Sequence, residues 1–259
     1  IYIAVSIRYN CYMHYMDIHN HTIWGVDDGI QEKEETIQAL KNASNDGIVG
    51  LCVTPHIKPG EINETLFNTI KQRFSVFEAI ASDYGIQAFL GGEVLINYDL
   101  FDVIDNELYL TINNTNYLLV EFNLGRDIAS IEYIDEYLQD LIDRGFRPII
   151  AHVERYFPKG IDLSIVKKWK SYGCIFQMNR TSLLGIHGKV LKENSIKLLK
   201  NKWVSLVSSD AHSAEGMRRL KLSDTYEVLG KLVGYNNARI LLYDNPNYIL
   251  NNLDTVSMR

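Results

Sequence analysis

The chain has 259 residues, 46% of them hydrophobic, enough for one sizeable core or two modest ones. Its 26 Lys and Arg against 32 Asp and Glu leave a formal charge of −6, which argues against a nucleic-acid binder held by a broad basic face. Cys11, Cys52 and Cys174 are too widely spaced for a disulfide framework or a zinc knuckle, and they point to a reducing compartment.

No apolar run approaches the roughly 20 residues of a membrane helix. The opening segment 1–7 is apolar but short, with no basic stretch before it and no small-residue cleavage site after it. Met13 and Met16 can each serve as a start. The expectation is an N-terminal extension over 1–15, a single domain over 16–259, a cytoplasmic location and no membrane insertion.

In chain order, short apolar or β-branched runs predict strands at 16–21, 48–54, 87–93, 117–122, 148–152, 175–179 and 204–209. Between them the pattern predicts helices over 32–45, 64–84, 131–144, 163–172, 190–201 and 223–233. Ile131, Ile134, Leu138, Leu141 and Ile142 repeat at helical spacing, and Arg144-Gly145 marks the end of that helix. Such alternation predicts parallel strands joined by crossover helices. A (β/α) barrel accommodates this many strands in one domain, with an open doubly wound sheet as the competing arrangement. No GxGxxG or GxxxxGK[ST] follows any strand, so nucleotide-fold readings lose support.

Each candidate strand is apolar until its C-terminal end and then finishes in a metal-ligand residue type. The first ends His19-Asn20-His21, whose imidazoles share a face because alternate strand residues do. Neutral imidazole suits Zn, Mn or Fe. The following turn, Val26-Asp27-Asp28-Gly29, carries two acids. The second strand ends Thr54-Pro55-His56, where proline stops the ladder, and the third ends Gly91-Gly92-Glu93. Glu121 closes an apolar fourth run and His152 the fifth, with Arg155 close behind as a fork for phosphate oxygens. The last strand leads into Asp210-Ala211-His212.

Singly, each of these has an ordinary structural explanation, such as a turn acid, an exposed histidine or a Glu154–Arg155 surface pair. Together they do not. Five of the seven histidines stand at predicted strand ends, and buried acids there would be costly unless cations offset them. So many donors exceed the coordination capacity of one ion, which implies a cluster of two or three. Gly185-Ile186-His187-Gly188-Lys189 reads as a turn, and 197–202 as the solvated face of a helix.

The motifs DIHNHTIWGVDDG (17–29), TPH (54–56), GGE (91–93), EF (121–122), IAHVERY (150–156) and SSDAH (208–212), in this order, resemble the PHP (polymerase and histidinol phosphatase) superfamily. More narrowly, they are similar to its bacterial tyrosine-protein phosphatases from capsule and exopolysaccharide operons, over residues 16–252. The resemblance implies a distorted (β/α)7 TIM-like barrel of the PHP type. It also implies three divalent metal ions, usually Mn2+, with Fe or Zn as alternatives. By motif, His19, His21, Glu93 and Asp210 would hold one ion, and Glu93, Glu121 and His152 a second. Asp28, His56 and His212 would hold the third, with Asp210 and His212 also counted in the catalytic set. Arg155 would act in catalysis and bind the substrate phosphate. The family often has a second phosphate-side arginine after SDAH; here Arg218 stands one residue late.

The implied activity is metal-dependent hydrolysis of phosphotyrosine on a protein, with a bacterial tyrosine autokinase of polysaccharide export as the implied partner and no nucleic acid. Another PHP phosphoesterase, such as a histidinol-phosphate phosphatase, is the first alternative. A metal-dependent amidohydrolase is the second, but that class bridges its metals with a carbamylated lysine, and no lysine ends a predicted strand. A binding module that merely docks a tyrosine-rich tail would be expected to have lost ligands, and all nine are present.

Overall fold

The computed structural model describes residues 13–125, 128 and 131–259; Cys11 and positions 1–12 of the expected extension lie outside the described residues. Strand β1 (Tyr15–Asp17) leads through the HxH and Asp-Asp-Gly segment to α1 (Lys33–Asp46), then β2 (Ile48–Val53), β3 (His56–Ile57) and α2 (Glu64–Asp83). There follow β4 (Gln87–Leu90), β5 (Glu93–Leu95), α3 (Leu100–Asp105), β6 (Tyr117–Glu121), α4 (Ile134–Asp143), β7 (Arg147–Ile150) and α5 (Leu163–Tyr172). The chain closes with β8 (Ile175–Asn179), α6 (Arg180–Leu184), α7 (Lys189–Lys200), β9 (Val204–Ser208), α8 (Ser223–Val233), α9 (Tyr235–Arg239) and α10 (Asn245–Leu250). Local chemistry sets several ends. Asn63 and Asp162 cap α2 and α5 by accepting from Leu66 N and Ser164 N. Gly47 and Gly173, both left-handed, stop α1 and α5.

Among the described residues all strand pairs are parallel, as the alternation predicts, but they fall into two sheets, β1-β2-β4 and β3-β5-β6-β7-β8-β9, without one continuous barrel ladder. The physical reason lies in two breaks. Pro55 ends the second predicted strand, observed as β2, and a further short strand, β3, starts directly after it. Gly91-Gly92 interrupts the third, where a Cβ on Gly92 would lie 2.8 Å from Ile57 Cγ1 and one on Gly91 3.1 Å from Cys52 Sγ. Across the breaks the two neighbouring segments stay paired, Gly91 N donating to Val53 O (2.9 Å) beyond β2–β4 and Glu93 N to Pro55 O (3.1 Å) ahead of β3–β5. The first and last segments also meet: Asp210 N donates to His19 O (2.9 Å) and His21 N to Ala211 O (2.7 Å).

Side-chain alternation divides the core. Leu118, Val120, Ile150 and Val207 pack into the larger apolar cluster with the helices, while Tyr117, Leu119, Ile149, Ala151 and Leu206 join Met16, Ile18, Cys52, Ile249 and Leu250 in a smaller one. On β6 the second set continues, two residues on, to Glu121; beyond Met16 and Ile18 on the first segment it reaches Asn20. The strands thus carry an apolar plug that gives way to polar groups at their C-terminal ends. Tyr15, placed in the expected extension, opens β1 and is buried against Tyr226. Among the described residues no helix is long and apolar enough to cross a membrane.

Asp17 fastens the junction between the first and last strands. It is fully buried and accepts from His19 N (3.2 Å) and Ser209 N (3.2 Å). Asp17→Ala leaves both amides unpaired and is expected to lower the unfolding free energy by about 2 kcal/mol, with Asp17→Asn milder. A urea midpoint unchanged in the alanine variant would show that this junction does not depend on the carboxylate.

Candidate metal centre

The structure brings all nine sequence-predicted donors together at the C-terminal ends of the strands. Glu93 stands at the middle: its Oε1 is 3.1 Å from His19 Nε2 and 3.0 Å from His152 Nε2, and its Oε2 is 3.2 Å from both His21 Nε2 and His56 Nδ1. His56 Nδ1 also lies 3.0 Å from Glu121 Oε1, and its Nε2 3.2 Å from Asp28 Oδ1. Asp210 Oδ1 lies 3.4 Å from His212 Nδ1 and 3.7–3.8 Å from His21 and His19 Nε2.

Four groupings bring donor atoms close enough to hold an ion: His21–Asp28–His56–His212, His19–Glu93–His152, His19–His21–Asp210 and His56–Glu93–Glu121. They overlap the three sets implied by the motifs but cut across them, since His19 also stands with Glu93 and His152, and His21 with Asp28, His56 and His212.

Tautomers test whether cations fit here. His19 Nδ1 faces Gln177 Oε1 (3.0 Å) and His21 Nδ1 faces Asp27 Oδ2 (2.7 Å). An acceptor at Nδ1 fixes the proton there and turns the Nε2 lone pair of a neutral ring toward the cluster. Those two Nε2 atoms and His56 Nδ1 are buried without a hydrogen bond, although carboxylate oxygens lie just over 3 Å away. Lone pairs facing carboxylates require protons or cations between them, so this donor set fits divalent ions.

Local backbone explains how the side chains arrive. His152 (φ 32°) and Asp210 (φ 51°) are left-handed, non-glycine residues just past β7 and β9. Gly29 is required because a Cβ there would fall 2.1 Å from His21 O. Its turn directs Asp27, which also accepts from Gly29 N (2.9 Å) and His56 N (3.0 Å).

Both arginines reach the site. Arg155 Nη1 donates to Asp210 Oδ2 (3.2 Å), while Glu154 is fully buried and accepts from Asn179 N (3.2 Å), so the two do not form a surface pair. Arg218 Nη2 donates to Asp210 Oδ1 (2.9 Å) and lies 2.9 Å from His212 Nε2. Its late position is absorbed by a loop in which His212 N (2.9 Å) and Ser213 N (3.2 Å) donate to Arg218 O. The turn read at Gly185–Lys189 is present, closed by Gly188 N on Gly185 O (3.1 Å).

Sequence reading missed three supporting residues. Gln177 accepts His152 N (2.6 Å) besides facing His19, Asn179 donates to Asp210 Oδ2 (2.6 Å), and Asp27 orients His21. Gln177 and Asn179 alternate at the end of β8, the same polar-at-strand-end signal that marked the ligands, but carried by amides.

The sequence matches the family described as "Capsular polysaccharide synthesis, CpsB/CapC" over residues 15–251. The chain belongs to that family. It is 27% identical over 242 residues to the tyrosine-protein phosphatase CpsB of Streptococcus pneumoniae, covering 91% of this chain and 98% of that one. Tyrosine-protein phosphatase YwqE of Bacillus subtilis is 27% identical over 244 residues, 92% of each chain. A solved structure from work on YwqE and on CpsB of S. pneumoniae, named there as unique metal-dependent tyrosine phosphatases, superposes with TM-score 0.81 at 27% identity, covering 93% of this chain and 96% of that one.

The electrostatics of this family member set a pH dependence. Burial disfavours the imidazolium of His21, but the Asp27 carboxylate outweighs it and pushes the pKa up to about 9. Burial likewise opposes protonation of His56, yet hydrogen bonds to Asp28 and Glu121 push it up to about 11. Both rings therefore hold protons at neutral pH in the metal-free chain, and a cation must displace them. Lowering the pH favours the protonated rings and weakens metal binding; raising it toward these values strengthens binding. Adding Mn2+ at neutral pH is expected to release more than one proton per chain, counted by calorimetry in two buffers of different ionisation enthalpy. Release of none would remove His21 and His56 from the ligand set.

Proposed function

We propose that the chain is a metal-dependent protein-tyrosine phosphatase, a phosphoric monoester hydrolase that acts on a tyrosine-phosphorylated protein. In this reading it is one PHP-type domain over 16–259, with the strand ends forming the mouth of a distorted (β/α)7 barrel. The single observation that carries it is the convergence of nine nitrogen and oxygen donors with two guanidinium groups around Asp210. Family membership and the names of the relatives support the same reaction.

We assign His19, His21, Asp28, His56, Glu93, Glu121, His152, Asp210 and His212 as ligands of three divalent ions, with Mn2+ preferred and Fe or Zn as alternatives. Such ions supply Lewis acidity and activate water when bound. To Arg155 and Arg218 we assign the grip on the non-bridging phosphate oxygens that holds the phosphorus in line. Asp210 contacts both guanidinium groups and so sets their spacing. His212 donates from Nδ1 to the Asp210 carbonyl (3.1 Å), and burial together with the positive charges of His21 and Arg218 lowers its pKa to about 3, so the ring stays neutral near neutral pH. The leaving phenolate has a parent pKa of about 10, so it needs less proton assistance than an alkoxide.

A thiolate route has no support among the described cysteines. Cys52 and Cys174 are buried, and burial raises both thiol pKa values, that of Cys174 to about 12. The physiological partner in this reading is a bacterial tyrosine autokinase of capsule or exopolysaccharide synthesis.

Metal analysis together with phosphotyrosine-peptide turnover before and after chelation tests the proposal, and histidinol phosphate run in parallel tests the alternative substrate class. His152→Ala is expected to cut the rate by more than about 100-fold with the fold retained; full activity in that variant would refute the assignment. The Cys11→Ala, Cys52→Ala, Cys174→Ala triple variant is expected to keep its turnover, and an inactive but folded triple variant would reinstate a thiol mechanism.

A further inference from the structure

Arg180 is almost fully buried, 2% exposed, yet takes part in neither the donor cluster nor the phosphate-side pair. It opens α6 directly after Asn179, the residue that donates to Asp210. Its guanidinium makes three hydrogen bonds. Nε and Nη2 form a fork on Asp224 Oδ1 (2.8 Å) and Oδ2 (2.6 Å) in the first turn of α8, and Nη1 donates to the carbonyl of Met217 (3.1 Å).

Met217 immediately precedes Arg218. Its side chain is 67% exposed, so its carbonyl is what the fold grips. The next carbonyl, that of Arg218, accepts from His212 N, Ser213 N and Ser213 Oγ (3.3 Å). Two consecutive peptide units are therefore held, one from the SDAH side and one from Arg180. Between these anchors the Arg218 side chain turns to Asp210 and His212. Resting on the reading of Arg218 as a phosphate-binding residue, we infer that Arg180, fixed by Asp224, is the positioning residue that holds Arg218 over the site.

Only arginine fits this role. Lysine can offer a point charge to Asp224 or to the Met217 carbonyl, but not a planar fork on one and a third donor to the other. Loss of the clamp loosens the binding of phosphate more than the chemistry at the cations, so it should appear in KM before kcat.

The test is a double-mutant cycle on phosphotyrosine-peptide hydrolysis by the metal-loaded chain. Arg180→Lys is expected to raise KM about 5-fold while kcat stays within about 2-fold and metal content is unchanged. In the Arg218→Ala background the same change should add less than about 2-fold, because the group it positions is gone. An equal penalty in both backgrounds, or no penalty in a folded Arg180→Lys protein, would overturn the inference. Arg218→Ala with unchanged kcat/KM would instead overturn the phosphate-binding reading itself. Should Arg180→Lys not fold, Asp224→Asn, which keeps the guanidinium but weakens its anchor, carries the same comparison with the same criteria.

Discussion

Four imidazoles from three chain segments converge on one buried carboxylate, and the rest of the site follows from that constraint. Glu93 is 1% exposed and lies 3.0–3.2 Å from His19, His21, His56 and His152. An isolated carboxylate at that depth would carry a desolvation penalty of several kcal/mol. Burial raises its pKa, but the imidazoles outweigh burial and hold it well below the carboxylate range. The positive charge that permits this can come from protons on the rings or from cations between the donors. Anchoring Nδ1 of His19 and His21 on Gln177 and Asp27 orients both rings for either, and makes proton and metal occupancy mutually exclusive.

The fold serves this constraint by changing the character of its strands along their length. Inward positions are apolar where the two ends of the chain pack, with Met16 and Leu119 against Ile249 and Leu250, and polar where the strands stop. Breaking the ladder at Pro55 and at Gly91-Gly92 lets His56 and Glu93 turn into the centre as the first residues of short new strands. An unbroken β2–β4 ladder would keep both in strict alternation. The two-sheet arrangement and the site are consequences of the same two breaks.

This also explains what could be read from the sequence. Polar residues at or just past the ends of apolar runs pointed to eight of the nine candidate donors and the Asp-Asp-Gly turn to Asp28, and their grouping came from the motifs taken together. The major helices followed from periodicity: α1 and α2 fall within a residue or so of the predicted spans. The short helices α3, α6, α9 and α10 did not, since five- or six-residue helices have little intrinsic stability and form only against the packed chain. Arg218 shows the same limit from another side. Its spacing from SDAH looked wrong along the sequence, whereas the loop's path depends on hydrogen bonds to His212 and Ser213, which no spacing rule contains. Gln177 and Asn179 were legible in position but not in role, because an amide has no charge to account for.

Net charge conceals how the mouth of the site is biased. The chain is acidic as a whole, at −6, yet the charged groups that contact Asp210 from outside the donor cluster are the guanidinium groups of Arg155 and Arg218. His187, on the turn after α6, registers that local field: burial lowers its pKa first, and the charges of Arg155 and Arg218 lower it further. The same field favours an incoming dianion over a neutral or cationic ligand, while the acidic remainder disfavours polyanions that would need a broad basic footprint.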